Sequence, residues 1–80
     1  MIFNLFKNNK IPQWNSNKRS PQDNQKIVFV TSDKDVYSGV FEINTKRVTM
    51  YEFLGMPFYD WQDIVCWIDF EDFQKKLAMP

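Results

Sequence analysis

The distribution of apolar residues along the chain predicts β-strands for much of its length. Residues 27–30 read Ile-Val-Phe-Val, a continuous apolar run rich in β-branched side chains. Such a run is typical of a strand buried on both faces. Residues 36–44 alternate instead, with Tyr37, Phe41 and Ile43 on one face. Turn-forming residues follow each segment, which predicts antiparallel pairing between them.

A third strand is predicted over residues 47–53, with Thr49, Tyr51 and Phe53 on one face. Residues 54–57, Leu-Gly-Met-Pro, should end this strand. In the second strand, Gly39 stands where a large side chain would otherwise lie. We expect either a β-bulge at this glycine or the close approach of an aromatic ring.

The segment around residues 61–70 fits two kinds of secondary structure. Helical spacing is present in Trp61, Ile64, Val65 and Ile68, and Asp60 could cap such a helix. Alternation typical of a strand is present in Ile64, Cys66, Ile68 and Phe70. The residue types favour the strand, which is the structure we predict.

The last segment has the signals of a short α-helix. Asp69 is a suitable N-cap, with acidic residues after it and lysines towards the end. The apolar stripe of this helix would consist of Phe70, Phe73 and Leu77. Together, these elements predict an α+β fold, a small three- to four-stranded antiparallel β-meander with one short C-terminal helix.

A length of 80 residues corresponds to one domain. We expect residues 1–25 to form an N-terminal extension and wrapping loop, and residues 26–80 to form the compact β-meander with its helix. Residues 7–25 are polar, rich in Asn and interrupted by two prolines. Trp14 would anchor this loop over the sheet. The apolar residues among positions 2–6 would pack on the sheet or form a homodimer contact.

The composition argues against enzyme chemistry. The chain has no histidine and one cysteine, Cys66, so an internal disulfide, a multi-thiolate zinc site and a histidine-based catalytic triad are all excluded. We therefore predict no catalytic residues, no metal site and no cofactor. No stretch has the length of a membrane span or the residue order of a secretory signal. These features predict a cytoplasmic protein without a membrane partner.

Charge is distributed unevenly along the chain. Residues 1–26 carry five basic and one acidic residue, whereas residues 27–80 carry five basic and nine acidic ones. An acidic half with exposed aromatic residues would suit a protein partner with a basic surface. The predicted partner-binding residues are Phe58, Tyr59, Asp60, Trp61 and Asp63, although these rings could instead complete the core. The alternative is nucleic-acid binding through the basic arm, with Trp14, Lys18 and Arg19.

Several short motifs resemble a small phage and prophage family of unknown function, DUF551. The matching order is Trp14, Arg19, Pro21, Asp23 and Gln25, followed by residues 36–41 and 63–67. The chain departs from the family pattern at Asn24, Cys66 and the pair Asp69-Phe70. The resemblance implies a small β-meander and a phage or prophage origin, and it implies no activity.

These observations favour a non-enzymatic protein-interaction module, plausibly encoded by a phage or another mobile element and acting as an inhibitor of a host protein. One form of this hypothesis is an anti-CRISPR protein whose acidic side chains take the place of phosphates. The alternative is a small nucleic-acid-binding protein that uses the basic N-terminal arm.

Overall fold

In residues 13–78, six antiparallel strands in one sheet, rather than three or four, form the framework of the protein. The computed structural model describes residues 13–78, with side chains for residues 13–76. The strands are β1 (Asn15–Ser16), β2 (Lys26–Thr31), β3 (Val36–Glu42), β4 (Arg47–Thr49), β5 (Phe58–Asp60) and β6 (Ile64–Asp69). A 3₁₀ turn (Trp61–Asp63) precedes β6, and helix α1 (Phe70–Ala78) follows it. The prediction of an α+β domain with a C-terminal helix is confirmed, and the predicted strand count is wrong.

The strand order is β1-β6-β2-β3-β4-β5. Strands β2 to β5 form the expected meander, and β6 returns to pair with β2. In a flat sheet, β5 and β6 would lie about 19 Å apart, because neighbouring strands are separated by about 4.8 Å. The 3₁₀ turn that joins them spans only about 8 Å. The sheet must therefore curve strongly, so that its inner face encloses the core.

The core lies on the inner face of this curved sheet. It consists of Ile27, Phe29, Phe41, Val48, Met50, Ile64 and Trp67, all at most 5% exposed. On the opposite face of β2 and β6, Val28 and Ile68 are also buried, and α1 contacts both strands. Strand β2 is thus buried on both faces, as predicted.

Gly39 allows β3 and β4 to approach each other closely. A Cβ atom at this position would lie 2.8 Å from both the Thr49 carbonyl oxygen and Val48 Cγ1. The prediction of a nearby aromatic ring is wrong, since the neighbour is the backbone and side chain of β4. The missing side chain therefore permits tight packing where the sheet curves.

Strand β4 is shorter than predicted. It ends at Thr49, and the chain turns through residues 51–57 before β5 begins. Gly55 and Met56 both adopt positive φ angles, 84° and 45°, which a strand cannot contain. Tyr51 and Phe53 therefore lie in a connecting loop, where their alternation does not correspond to two faces of a strand.

The ambiguous segment is a strand, as predicted, and it follows the 3₁₀ turn. Asp60 precedes that turn, and its side chain makes no capping hydrogen bond. Asp69 caps α1 as predicted, because its Oδ2 accepts hydrogen bonds from the backbone N–H groups of Glu71 and Asp72 at 3.1 and 3.2 Å.

Residues 13–20, called the arm below, lie along β6. The indole N–H groups of Trp61 and Trp67 donate to the carbonyl oxygens of Asn17 and Arg19, at 2.8 and 2.7 Å. The Trp14 ring packs edge-on against Phe73 of α1, with ring centroids 6.0 Å apart. Trp14 thus contacts the helix. The predicted packing of residues 2–6 lies outside the described residues.

Candidate functional site

The connection between β4 and β5 carries a dense group of exposed apolar side chains. Within residues 51–58, called the apolar loop below, five large apolar side chains are exposed: Tyr51 (51%), Phe53 (46%), Leu54 (103%), Met56 (56%) and Phe58 (47%). Single exposed apolar residues are common on protein surfaces, but a contiguous group marks an interaction site.

Backbone hydrogen bonds hold this loop in a defined shape. The N–H groups of Phe53 and Met56 donate to the carbonyls of Met50 and Phe53, at 3.1 and 3.0 Å. At the base of the loop, the Met50 N–H donates to the Pro57 carbonyl at 2.8 Å. Because the buried Met50 side chain anchors this base, the exposed side chains project from an ordered support.

Polar contacts fix the two ends of the apolar loop on the outer face of the sheet. Glu42 accepts hydrogen bonds from the hydroxyls of Thr49, at 2.9 Å, and Tyr51. The hydrogen bond to Glu42 raises the pKa of Tyr51 above its ordinary value, and desolvation adds to the effect. At the other end, the Arg47 guanidinium lies 4.0 Å from the centroid of the Phe58 ring.

A second feature adjoins the loop on the inner side. Tyr37, Phe53 and Tyr59, called the aromatic cluster below, pack together at the margin of the core. The rings of Tyr37 and Tyr59 are stacked, with centroids 5.7 Å apart. The Phe53 ring lies at 84° to the Tyr37 ring, with centroids 5.9 Å apart. Tyr59 also contacts the buried Phe29 at 5.8 Å. The cluster therefore joins the core to the exposed loop.

Two carboxylates act on the Tyr59 side of this cluster. A hydrogen bond with Tyr37 raises the pKa of Tyr59 most, and desolvation and the negative charges of Asp35 and Asp33 raise it further. Both aspartates lie in the β2–β3 turn, where the Ser32 N–H donates to the Asp63 carbonyl at 2.9 Å. That bond brings the 3₁₀ turn alongside. We call Asp33, Asp35 and Asp63 the acidic rim; all three are exposed.

The five predicted partner-binding residues do not form one continuous surface. Phe58 and Asp60 are exposed, whereas Tyr59 packs towards the core between them, because successive strand residues point to opposite faces. The Trp61 ring packs against the buried Phe41, with ring centroids 5.0 Å apart. Trp61 also lines a cleft of about 500 Å³ together with Asp60, Lys46, Thr45 and Gln62. Asp63 belongs to the acidic rim. The predicted set is thus divided among the loop, the core margin, this cleft and the acidic rim.

Sequence reasoning missed Phe53, Leu54 and Met56 as contact residues, although Leu54 and Met56 are the two most exposed side chains of the loop. The available signal was a Gly-Met-Pro break flanked by apolar residues on both sides. Turns lie on the surface of a protein, so large apolar residues in a turn could have indicated exposed apolar side chains.

The residues proposed for nucleic-acid binding are also divided. Arg19 joins Lys75 and Lys76 of α1 around a cleft of about 510 Å³, which Trp67, Ile68, Asp69 and Asp72 also line. Lys18 is exposed, whereas the Trp14 ring packs against Phe73. The cleft therefore has three cations from two distant parts of the sequence, and two carboxylates that reduce their combined charge.

Cys66 offers little reactivity, because burial raises the pKa of its thiol above the ordinary value and so disfavours the thiolate. Within residues 13–76, no group of three or more carboxylate or thiol side chains is arranged to hold a metal ion. In the part of the chain that the structure describes, no helix is long and apolar enough to span a membrane.

Comparison of the chain with family models, with curated proteins and with solved structures found no match in any of the three. The resemblance to the DUF551 family therefore stays a prediction from short sequence motifs.

Proposed function

We propose that this protein is a non-enzymatic protein-interaction module whose principal contact surface is the apolar loop. The observation that carries this proposal is the exposure of five large apolar side chains within eight residues of an ordered turn. Burying them against a partner would remove apolar area from water, at about 25 cal/mol for each Å². Their fixed backbone lowers the entropic cost of binding.

The partner in this proposal is a protein with a basic surface. Support comes from the acidic rim, which lies beside the part of the aromatic cluster that adjoins the loop. Negative charges there would steer a basic protein during association, and the apolar contacts would slow its dissociation. Inhibition of a host protein by a phage or mobile-element product, including an anti-CRISPR activity, fits such a surface and rests on analogy with other small proteins.

A comparative capture experiment tests the proposal. Immobilised wild-type protein is compared with the double variant Leu54→Ser/Met56→Ser in a bacterial lysate, and bound proteins are identified by mass spectrometry. We expect a specific partner of the wild type to be lost from the double variant. The matched control is Ile43→Ser, because Ile43 is 43% exposed and lies in the β3–β4 turn.

Circular dichroism should show that both variants remain folded, since the replaced side chains are exposed. If a partner bound both variants as well as it bound the wild type, the apolar loop would not be its contact surface. Binding of the wild type to lipid vesicles, abolished in the same double variant, would indicate a membrane rather than a protein.

A second candidate function, nucleic-acid binding, draws support from the three cations around the larger cleft, Arg19, Lys75 and Lys76. In this case a single-stranded oligonucleotide should bind with an affinity that falls steeply as salt increases. The triple variant Arg19→Gln/Lys75→Gln/Lys76→Gln should lose this binding, whereas Lys46→Gln should keep it. Equal binding by the triple variant would reject the cleft as the nucleic-acid site.

A further inference from the structure

We propose that the aromatic cluster and the acidic rim together bind an arginine side chain of the protein partner. This inference rests on the proposed function and specifies which group of the partner the surface receives. The guanidinium would lie against the Tyr37 and Phe53 rings, near the carboxylates of Asp33 and Asp35. Apolar residues next to that arginine would contact Leu54.

The protein itself shows how its aromatic rings accommodate cations. Arg47 lies over Phe58, with its guanidinium carbon 4.0 Å from the ring centroid. Lys26 lies over Phe70, with its ammonium nitrogen 4.1 Å from the centroid. Among the residues that the structure describes, no cation lies over a ring of the aromatic cluster. Within residues 13–76, these rings therefore have no cation over their faces.

The geometry of the cluster suits a planar cation. Phe53 stands almost perpendicular to Tyr37, at 84°, and 46% of its surface is exposed. Tyr59 is stacked on Tyr37 and keeps that ring in place. Two aromatic rings at a right angle form a corner. A guanidinium in this corner can stack on the face of one ring and contact the other ring.

The charges around the corner favour a cation as well. Asp33 and Asp35 act on the Tyr59 hydroxyl, and Asp63 lies beside them in the 3₁₀ turn. Lys34 is the cation between the two aspartates in sequence, so the local charge stays negative. In the described part of the chain, the one ion pair joins Lys26 and Glu52, and none involves these aspartates. Within residues 13–76, their charge is therefore not neutralised by an ion pair.

Two matched peptides test the inference. Acetyl-Leu-Arg-Leu-amide is compared with the peptide in which neutral citrulline replaces arginine, using backbone amide shifts in NMR titrations. The arginine peptide should bind about three- to tenfold more tightly, with the largest shifts near Tyr37, Phe53 and Asp35. Increasing the ionic strength should reduce the difference in affinity between the arginine and citrulline peptides.

Two variants identify the groups responsible. Phe53→Leu keeps an apolar side chain but removes the aromatic face, and Asp33→Asn/Asp35→Asn removes the charge. Each variant should lower the ratio of the affinity for the arginine peptide to the affinity for the citrulline peptide towards one. Glu71→Gln, a neutralised carboxylate on the exposed side of α1, should keep the preference of the wild type.

Three outcomes would overturn the inference: equal binding of the two peptides, no binding of either, or a preference that survives both variants. The outcome of the capture experiment is independent of the outcome of the peptide titrations. If Leu54→Ser/Met56→Ser retained the partner while arginine was still preferred at Phe53, Leu54 and Met56 would be rejected as the principal contacts and the arginine site would stand. If that variant lost the partner while the peptides bound equally, the arginine site alone would be rejected.

Discussion

Replacing Gly39 with alanine tests the tight approach of β3 and β4 directly. The new Cβ would lie 2.8 Å from the Thr49 carbonyl oxygen and 3.2 Å from its carbonyl carbon. The obstacle is largely backbone, so β3 and β4 would have to separate by several tenths of an ångström. Overpacking of this kind costs about 1–3 kcal/mol, and the lower entropy of the unfolded alanine chain returns roughly 0.4–1 kcal/mol.

The two effects leave a net loss between roughly 0 and 2.6 kcal/mol. Because backbone atoms cannot move aside as a flexible side chain can, we expect Gly39→Ala to lower the free energy of unfolding by about 1–2 kcal/mol, a substantial part of the roughly 5–15 kcal/mol typical of a folded domain. Urea unfolding followed by circular dichroism measures this loss. With a slope of about 1 kcal/mol per M, the midpoint should fall by roughly 1–2 M.

The matched control is Gly55→Asn. Gly55 has a φ angle of 84°, at which every side chain is strained and asparagine is tolerated best, and no atom lies within 4 Å of its Cβ position. This control therefore loses stability only through its backbone conformation, and its midpoint should fall less than that of Gly39→Ala. A Gly39→Ala protein as stable as the wild type, with an unchanged slope, would show that β3 and β4 do not approach as closely as described.

Three further predictions concern the core, the helix and the tyrosines. Trp67→Ala should cost about 3–5 kcal/mol, since Trp67 is 5% exposed, and a melting temperature within a degree or two of the wild type would contradict its place in the core. Asp69→Ala removes the cap of α1 and should cost about 0.5–2 kcal/mol, measured by urea unfolding with Asp72→Ala as the control. The raised pKa of Tyr59 implies that its contribution to stability is complete below pH about 10 and is lost as the pH rises above that value. The melting temperature should fall less between pH 8 and a pH above 10 in Tyr37→Phe than in the wild type.

The predictable parts of the fold are those governed by neighbouring residues. The apolar run of β2 and the N-cap Asp69 specify their elements locally, and both are observed. Strands β1 and β5 have two and three residues, too few for any alternation to be recognised. Residues 51–53 alternate like a strand, but the positive φ angles at Gly55 and Met56 belong to a turn.

The site was harder to predict, because it depends on the curvature of the sheet. Phe58 and Tyr59 are adjacent in sequence and point to opposite faces. Tyr37 and Phe53 are far apart in sequence, and they meet only because β3 and the apolar loop converge at the core margin. A sequence pattern identifies aromatic residues, but it does not indicate which of them the closed sheet brings together.

The position of β2 between β3 and β6 has a consequence for biosynthesis. Strand β2 pairs with β3 across a short turn, but its other partner, which begins at Ile64, is made more than thirty residues later. Until β6 leaves the ribosome, one edge of the most apolar strand has no partner, and such edges promote aggregation. Formation of the sheet therefore depends on a pairing between strands that are distant in sequence, which slows folding. Pauses that delay the emergence of residues 64–69 should reduce the soluble yield more than equal delays placed before residue 26, when β2 has not yet been made.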